Sequence, residues 1–191
     1  MISTALFLAF NVGSAALPAA VTVPGATVAV CFAPEEDCAA FAVQAIDRAR
    51  RQILVSAYNL TTGAGIVEAL VRARQRGVDV RLIADKRTPC ERNPGIDALA
   101  QAGTPIWIDR AVRIAHAKTM VIDGALTLMG SYNWTRNAAR NSEDLNLVAS
   151  DALAAAYAVQ WGGRLAASAP FAGREDWCRP RRERNPLDGG G

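Results

Sequence analysis

The sequence is poor in histidine and lysine, and each shortage narrows what the chain can do. His116 is the only histidine, and Lys86 and Lys118 are the only lysines, although arginine is plentiful enough to leave a net charge of +3. A Cys/His zinc centre would need closely spaced ligand pairs; there is no Cys-x-x-Cys, and the single histidine lies far along the chain from all four cysteines. Beyond the N-terminus no segment is apolar and long enough to cross a bilayer. Long polar or repetitive tracts are lacking too, which excludes a largely disordered chain. What is present is a chain of 191 residues, 51% hydrophobic, the size of one domain with a sizeable core. Its mildly basic balance suits a polyanionic substrate without requiring one.

Residues 1–20, MISTALFLAFNVGSAALPAA, carry no charge and hold an apolar run from Ala5 to Val12 followed by small residues. That pattern predicts a secretory signal peptide, with cleavage after Ala16, Ala19 or Ala20. The usual basic n-region is missing, so an uncleaved anchor is the competing reading; the short run and Asn11, Gly13 and Pro18 weigh against it. Export to a bacterial periplasm or to the medium would place Cys31, Cys38, Cys90 and Cys178 in an oxidising compartment, where two disulfides are expected. Four cysteines allow three pairings. A Cys31–Cys38 bridge would close the short loop CFAPEEDC and leave Cys90 to Cys178. The polar end of the chain, RPRRERNPLDGGG over residues 179–191, reads as a solvated tail whose arginines could also touch phosphates, leaving residues 21–178 as the folded domain.

Within that domain, apolar β-branched runs alternate with amphipathic stretches. Strands are predicted over Val28–Phe32, Gln52–Tyr58, Val78–Ala84 and from Pro105 to Ile108, with helices over Ala39–Arg51, Gly65–Arg76 and Ile96–Ala102. After Ile114 the pattern changes. Ile114–Ile122 alternates, Asp123-Gly124 is a tight-turn signal, and Ala125–Met129 returns as its hairpin partner. A strand over Leu145–Ala149 and a helix over Asp151–Ala167, with Asp151 as N-cap, complete the domain. The expected fold is a single α/β domain with a mixed, mostly parallel β-sheet flanked by helices.

The chemistry concentrates in HAKTMVIDGALTLMGSYNWTRNAARNSED, His116 to Asp144. His116 and Lys118 stand two apart on an expected strand and so leave the same face. The returning strand carries Gly130, Ser131, Tyr132 and Asn133 back to their level, and Glu143 opens the next strand. A phosphodiester spreads one negative charge over two oxygens. Lys118 offers it a point charge, Asn133 and Ser131 offer directed hydrogen bonds, and Gly130 would allow close backbone approach. A neutral imidazole attacks phosphorus when its other nitrogen donates to a carboxylate, for which Glu143 is the candidate.

HAKTMVID followed by GSYN fits H-x-K-x(4)-D-x(6)-G-S-x-x at every fixed position, and on this motif the chain is identified as a member of the phospholipase D superfamily. With Asn133 following and NSE at 141–143, it resembles the small bacterial Nuc-type endonucleases, over about residues 28–165. The resemblance implies a metal-independent reaction without a cofactor. His116 would become a covalent phosphohistidine, Lys118 and Asn133 would hold the phosphate, Ser131 would line the pocket and Glu143 would orient His116. Asp123 matches the motif aspartate, in a structural or electrostatic role. Leaving-group departure needs a general acid and release of the intermediate needs a base. The superfamily uses a second motif histidine for both, and this chain has one histidine and no repeat. A homodimer with its site shared at the twofold axis is therefore implied.

Neighbouring residues carry two readings each. Tyr58 and Asn59 would line the site's rim or pack in a loop; Trp134 would stack on a ligand or fill the core; Arg136 and Arg140 would track phosphates or form a solvated face. The leading expectation is a non-specific endonuclease on DNA or RNA. A phospholipase D acting on phosphatidyl lipids is the alternative, and an inactive nucleic-acid- or membrane-binding module is the third reading.

Overall fold

Strands that are apolar on both faces need cover on both sides, and helices supply it. The computed structural model describes residues 23–91 and 95–178; the expected leader (1–20) and tail (179–191) lie outside them. One eight-stranded sheet runs in the order β1-β7-β6-β5-β2-β3-β4-β8. Its strands are β1 (Thr27–Ala33), β2 (Gln52–Ala57), β3 (Asp79–Asp85), β4 (Ile106–Asp109), β5 (Lys118–Ile122), β6 (Leu126–Gly130), β7 (Glu143–Ala149) and β8 (Ser168–Pro170). Helices α1 (Cys38–Arg48), α2 (Ile66–Gln75), α3 (Gly95–Gln101), α4 (Asp151–Ala166) and α5 (Arg174–Cys178) complete it.

The sheet is mixed but mostly antiparallel, which corrects the expected mostly parallel arrangement. Among the described residues only β2–β3 and β3–β4 are parallel; β1–β7, β7–β6, β6–β5, β5–β2 and β4–β8 run antiparallel. The error lies in β1. Strand, helix, strand reads locally as a crossover between neighbours, but β1 travels to the far edge and pairs with β7 along its whole length. Only α2 and α3 connect adjacent parallel strands, and every strand after β4 joins the sheet antiparallel.

Helices α1, α2 and α3 bury Ile46, Leu70 and Leu99 against one face, together with Ile53, Val55, Leu82 and Ile108 of the sheet. The opposite face is covered by α4, whose Trp161 packs with Leu54, Ile83 and Val121 and donates its indole N–H to the Val55 carbonyl at 3.0 Å. Ser150 caps α4 by accepting from the Leu153 N–H at 3.2 Å, in place of the expected Asp151. Disulfides join Cys31 to Cys38 across the turn into α1, and Cys90 to Cys178 between the β3–α3 loop and α5.

One ion pair locks α4 to the sheet. The Asp109 carboxylate, 2% exposed, receives Arg164 Nε at 2.8 Å and Nη2 at 2.6 Å. A buried carboxylate stripped of its cation is costly. Arg164→Ala is expected to lower unfolding stability by about 3 kcal/mol; an unchanged urea midpoint would show that Asp109 finds other compensation.

Candidate active site

The strand order brings one end of five strands together. Antiparallel pairing of β5 with β2 sets Lys118 opposite Ala57, at the end where β2 and β3 finish, β6 finishes and β7 begins. His116 lies one residue ahead of the last link to β2, the Tyr58 N–H bond to the Ala117 carbonyl at 3.1 Å. It is in a loop before β5, not on the strand expected from Ile114.

Lys118 is only 5% exposed. Its Nζ donates to the His116 carbonyl at 2.8 Å and stands 3.0 and 3.1 Å from the two ring nitrogens. An ammonium has no acceptor capacity, so an imidazole bonded to it must present a lone pair on that nitrogen. The face of Tyr58 closes the other side, 4.9 Å from Nζ and with its ring centroid 4.4 Å from that of His116. Burial lowers the Lys118 pKa, and the negative charge of Glu143 partly offsets this.

Gly130 meets the expected need for close approach, but toward protein: a Cβ there would lie 2.3 Å from the Asp144 carbonyl oxygen. That contact lets Ser131 and Tyr132 both donate their N–H groups to Asp144 O, at 3.1 and 3.2 Å. The Ser131 hydroxyl bonds Glu143 Oε2, and Asn141 donates to Glu143 Oε1 at 3.0 Å. Glu143 therefore shares a pocket of about 330 Å3 with His116, Lys118, Gly130, Ser131 and Asn133, yet its hydrogen bonds go to Ser131 and Asn141. Asn133 has its Oδ1 buried without a partner among the described residues. Trp134 is a core residue, fully buried, with its indole N–H on the Ser56 carbonyl at 3.0 Å. It anchors the segment that carries Asn133.

Two carboxylates escaped the sequence reading. Asp85, fully buried at the end of β3, accepts the Ala115 N–H at 2.7 Å and the Arg87 N–H at 3.0 Å, which fixes the loop leading into His116. A lone Asp closing VDVRLIAD was the available signal. Glu91, in the β3–α3 loop, left no motif at all.

This geometry has counterparts. The family model described as "Cardiolipin synthase, PLD-like domain" matches residues 42–163. The chain belongs to the phospholipase D superfamily. A "Phospholipase D" of Rickettsia prowazekii is 35% identical over 138 residues, 72% of this chain and 67% of that protein. The superfamily member Nuc from Salmonella typhimurium superposes with a TM-score of 0.71 at 31% identity, covering 76% of this chain and 98% of its own. NucT from Helicobacter pylori shares the fold, with a TM-score of 0.69 at 20% identity. This phospholipase D relative is a hydrolase of phosphodiester bonds.

The superfamily motif's aspartate is not brought to the pocket. Asp123 sits past the opposite end of β5, at φ 54°. Its carboxylate receives the N–H groups of Arg50, Arg51 and Gln52 at 2.9, 2.7 and 3.0 Å, tying the hairpin to the start of β2. Burial alone would raise its pKa; the three N–H donors and the Arg51 guanidinium outweigh that and lower it below 3.8. A depressed carboxylate contributes stability above its unfolded pKa and loses it as pH falls through the folded value. Asp123→Ala is expected to cost about 2 kcal/mol at neutral pH with kcat kept within about threefold. The stability gap to wild type should narrow on acidification below 3.8; a collapse of kcat in a folded variant would place Asp123 in the chemistry.

Proposed function

We propose that the enzyme is a metal-independent phospholipase D that cleaves phosphatidyl lipids through a His116 adduct. The observation that carries this reading is the unlike chemistry on the two sides of the phosphate pocket. On one side, sharing His116, a trough of about 320 Å3 is walled by Val112, Ile114, Ala117, Tyr157 and Trp161, together with Thr119, Gln160 and the paired Asp109 and Arg164. On the other, sharing Asn133, a cleft of about 650 Å3 is lined by Asn59, Thr61, Arg136, Asn137 and Asn141. A phosphatidyl lipid has this asymmetry about its phosphodiester, with acylglycerol on one oxygen and a polar alcohol on the other. A nucleic acid is polar on both.

The exposed surface supports the same reading. Val28, Val30 and Phe32 are 55%, 42% and 57% exposed on β1. Through the β7 register they share the sheet face of Asn146 and Met129, the face that Tyr157 of α4 also touches. Phe32 pairs with Asp144, whose carbonyl accepts the Ser131 N–H, so this apolar stripe ends on the strand end that carries Ser131.

In the proposed reaction a His116 ring nitrogen attacks phosphorus, and the bond from phosphorus to the headgroup oxygen breaks. Lys118 and Asn133 hold the nonbridging oxygens. The departing alcohol takes a proton from His116 of a second copy, which then removes one from the water that releases the phosphatidyl group. The twofold dimer follows from the one histidine per chain. Nucleic acid is the second reading, supported by the likeness to Salmonella Nuc and by the exposed Arg136 along the polar cleft.

With EDTA present, purified enzyme should release headgroup alcohol from phosphatidyl lipid micelles, and His116→Ala should lose at least about 10³-fold in kcat. Cleavage of plasmid or RNA with the lipids left intact would transfer the assignment to the nuclease reading.

A further inference from the structure

The polar cleft has a more particular chemistry than its size suggests. Its walls come from the segment after β2 (Asn59, Thr61, Thr62, Gly63), from Glu91, and from the segment Asn133–Asn141. Two of its lining acceptors, Glu91 Oε2 and Asn133 Oδ1, are buried with no hydrogen-bond partner among the described residues. Orphaned buried acceptors cost free energy that a donor recovers. Both lie on one cleft, and Asn133 is shared with the phosphate pocket.

We propose that this cleft receives the headgroup of the lipid and selects headgroups that donate hydrogen bonds, hydroxyl or primary ammonium, over a quaternary ammonium, with Glu91 as the specificity-determining residue. The inference rests on the phosphatidyl-lipid reading. A glycerol or ethanolamine headgroup brings O–H or N–H donors to Glu91 and Asn133; choline brings none. An apolar or aromatic cage would suit choline; this cleft has no aromatic lining and presents amides and hydroxyls with Glu91 and Arg136.

Glu91 is held firmly enough to discriminate. With its amide nitrogen turned toward Glu91, the orientation that satisfies the side chain, Asn59 donates to Glu91 Oε1 at 2.6 Å and to the Tyr58 carbonyl at 3.0 Å. The adjacent Cys90 is bridged to Cys178. Arg174 of α5 grips the same loop, donating to the carbonyls of Pro89 at 2.7 Å and Glu91 at 3.3 Å. Burial raises the Glu91 carboxyl pKa to about 7; the charge of Asp85, at the end of β3, adds to this and the Leu60 N–H opposes it. Arg136 is the cation lining the same cleft. A carboxyl poised there becomes a stronger acceptor as pH rises through neutrality, and a donor-bearing headgroup favours that charged form.

The test compares phosphatidylglycerol, phosphatidylethanolamine and phosphatidylcholine of equal acyl chains in mixed micelles with full-length enzyme. For the first two, kcat/KM is expected to exceed that for phosphatidylcholine by about tenfold or more. Their KM should fall between pH 6 and 8 relative to that of phosphatidylcholine. Glu91→Gln should reduce the preference to within about threefold and remove the differential pH effect. The exposed rim variant Thr62→Val and the wild-type pH series keep the test sound if Glu91→Gln folds poorly. Equal turnover of all three lipids by wild type, or an equal loss on all three in Glu91→Gln, would overturn the headgroup inference while the phospholipase reading stands. No turnover of any lipid would overturn both.

Discussion

A lysine ammonium buried without a carboxylate partner sets the terms for the rest of the structure. Lys118 is nearly inaccessible, and no acidic side chain among the described residues forms an ion pair with it. A backbone carbonyl, an imidazole and an aromatic face surround it. Such a cation is poorly compensated by its protein neighbours and well compensated by an anion, so the positive charge the fold isolates is the complement of the negative charge a phosphodiester brings. Keeping it there requires β5 to lie antiparallel against β2, Asp85 to fix the approach to His116, and Gly130 to let β6 close on β7. The supports reach to the far end of the strand, where Asp123 clamps the same hairpin.

The site was more legible in the sequence than the sheet that carries it. His116, Lys118, Gly130, Ser131, Asn133 and Glu143 lie within 28 residues on a hairpin and the strand after it, so local spacing alone brings them together. Strand direction depends on partners distant in sequence. Nothing inside Thr27–Ala33 says that it pairs with Glu143–Ala149, and the run β1, α1, β2 imitates a crossover. The three-residue β8, Ser-Ala-Pro, carries no alternation to find. Asp85 and Glu91 were missed for another reason. Each is set apart by burial, and a carboxylate in a sequence reads as solvated until its neighbours are known.

The two readings of the substrate differ in what must flank the phosphate. Sequence favoured nucleic acid on the mildly basic charge and the Nuc-type resemblance. The trough proposed for the acylglycerol side is lined by residues scattered through Val112, Ile114, Tyr157 and Trp161 on a loop and on α4, so no continuous apolar segment announces it. Folding sets it beside His116 and sets the amide-lined cleft beside Asn133. On the proposed reading, one phosphodiester meets two unlike surfaces.

The central claim is that His116 becomes covalently attached to phosphorus during turnover. Rapid acid-free quenching of enzyme mixed with short-chain phosphatidylglycerol, followed by digestion and mass spectrometry, reads this directly. The account predicts a phosphatidyl mass increment on the peptide containing His116 that disappears on acid treatment and is absent from His116→Ala. Full turnover with no trapped adduct at any quench time, or an adduct on another side chain, would contradict it.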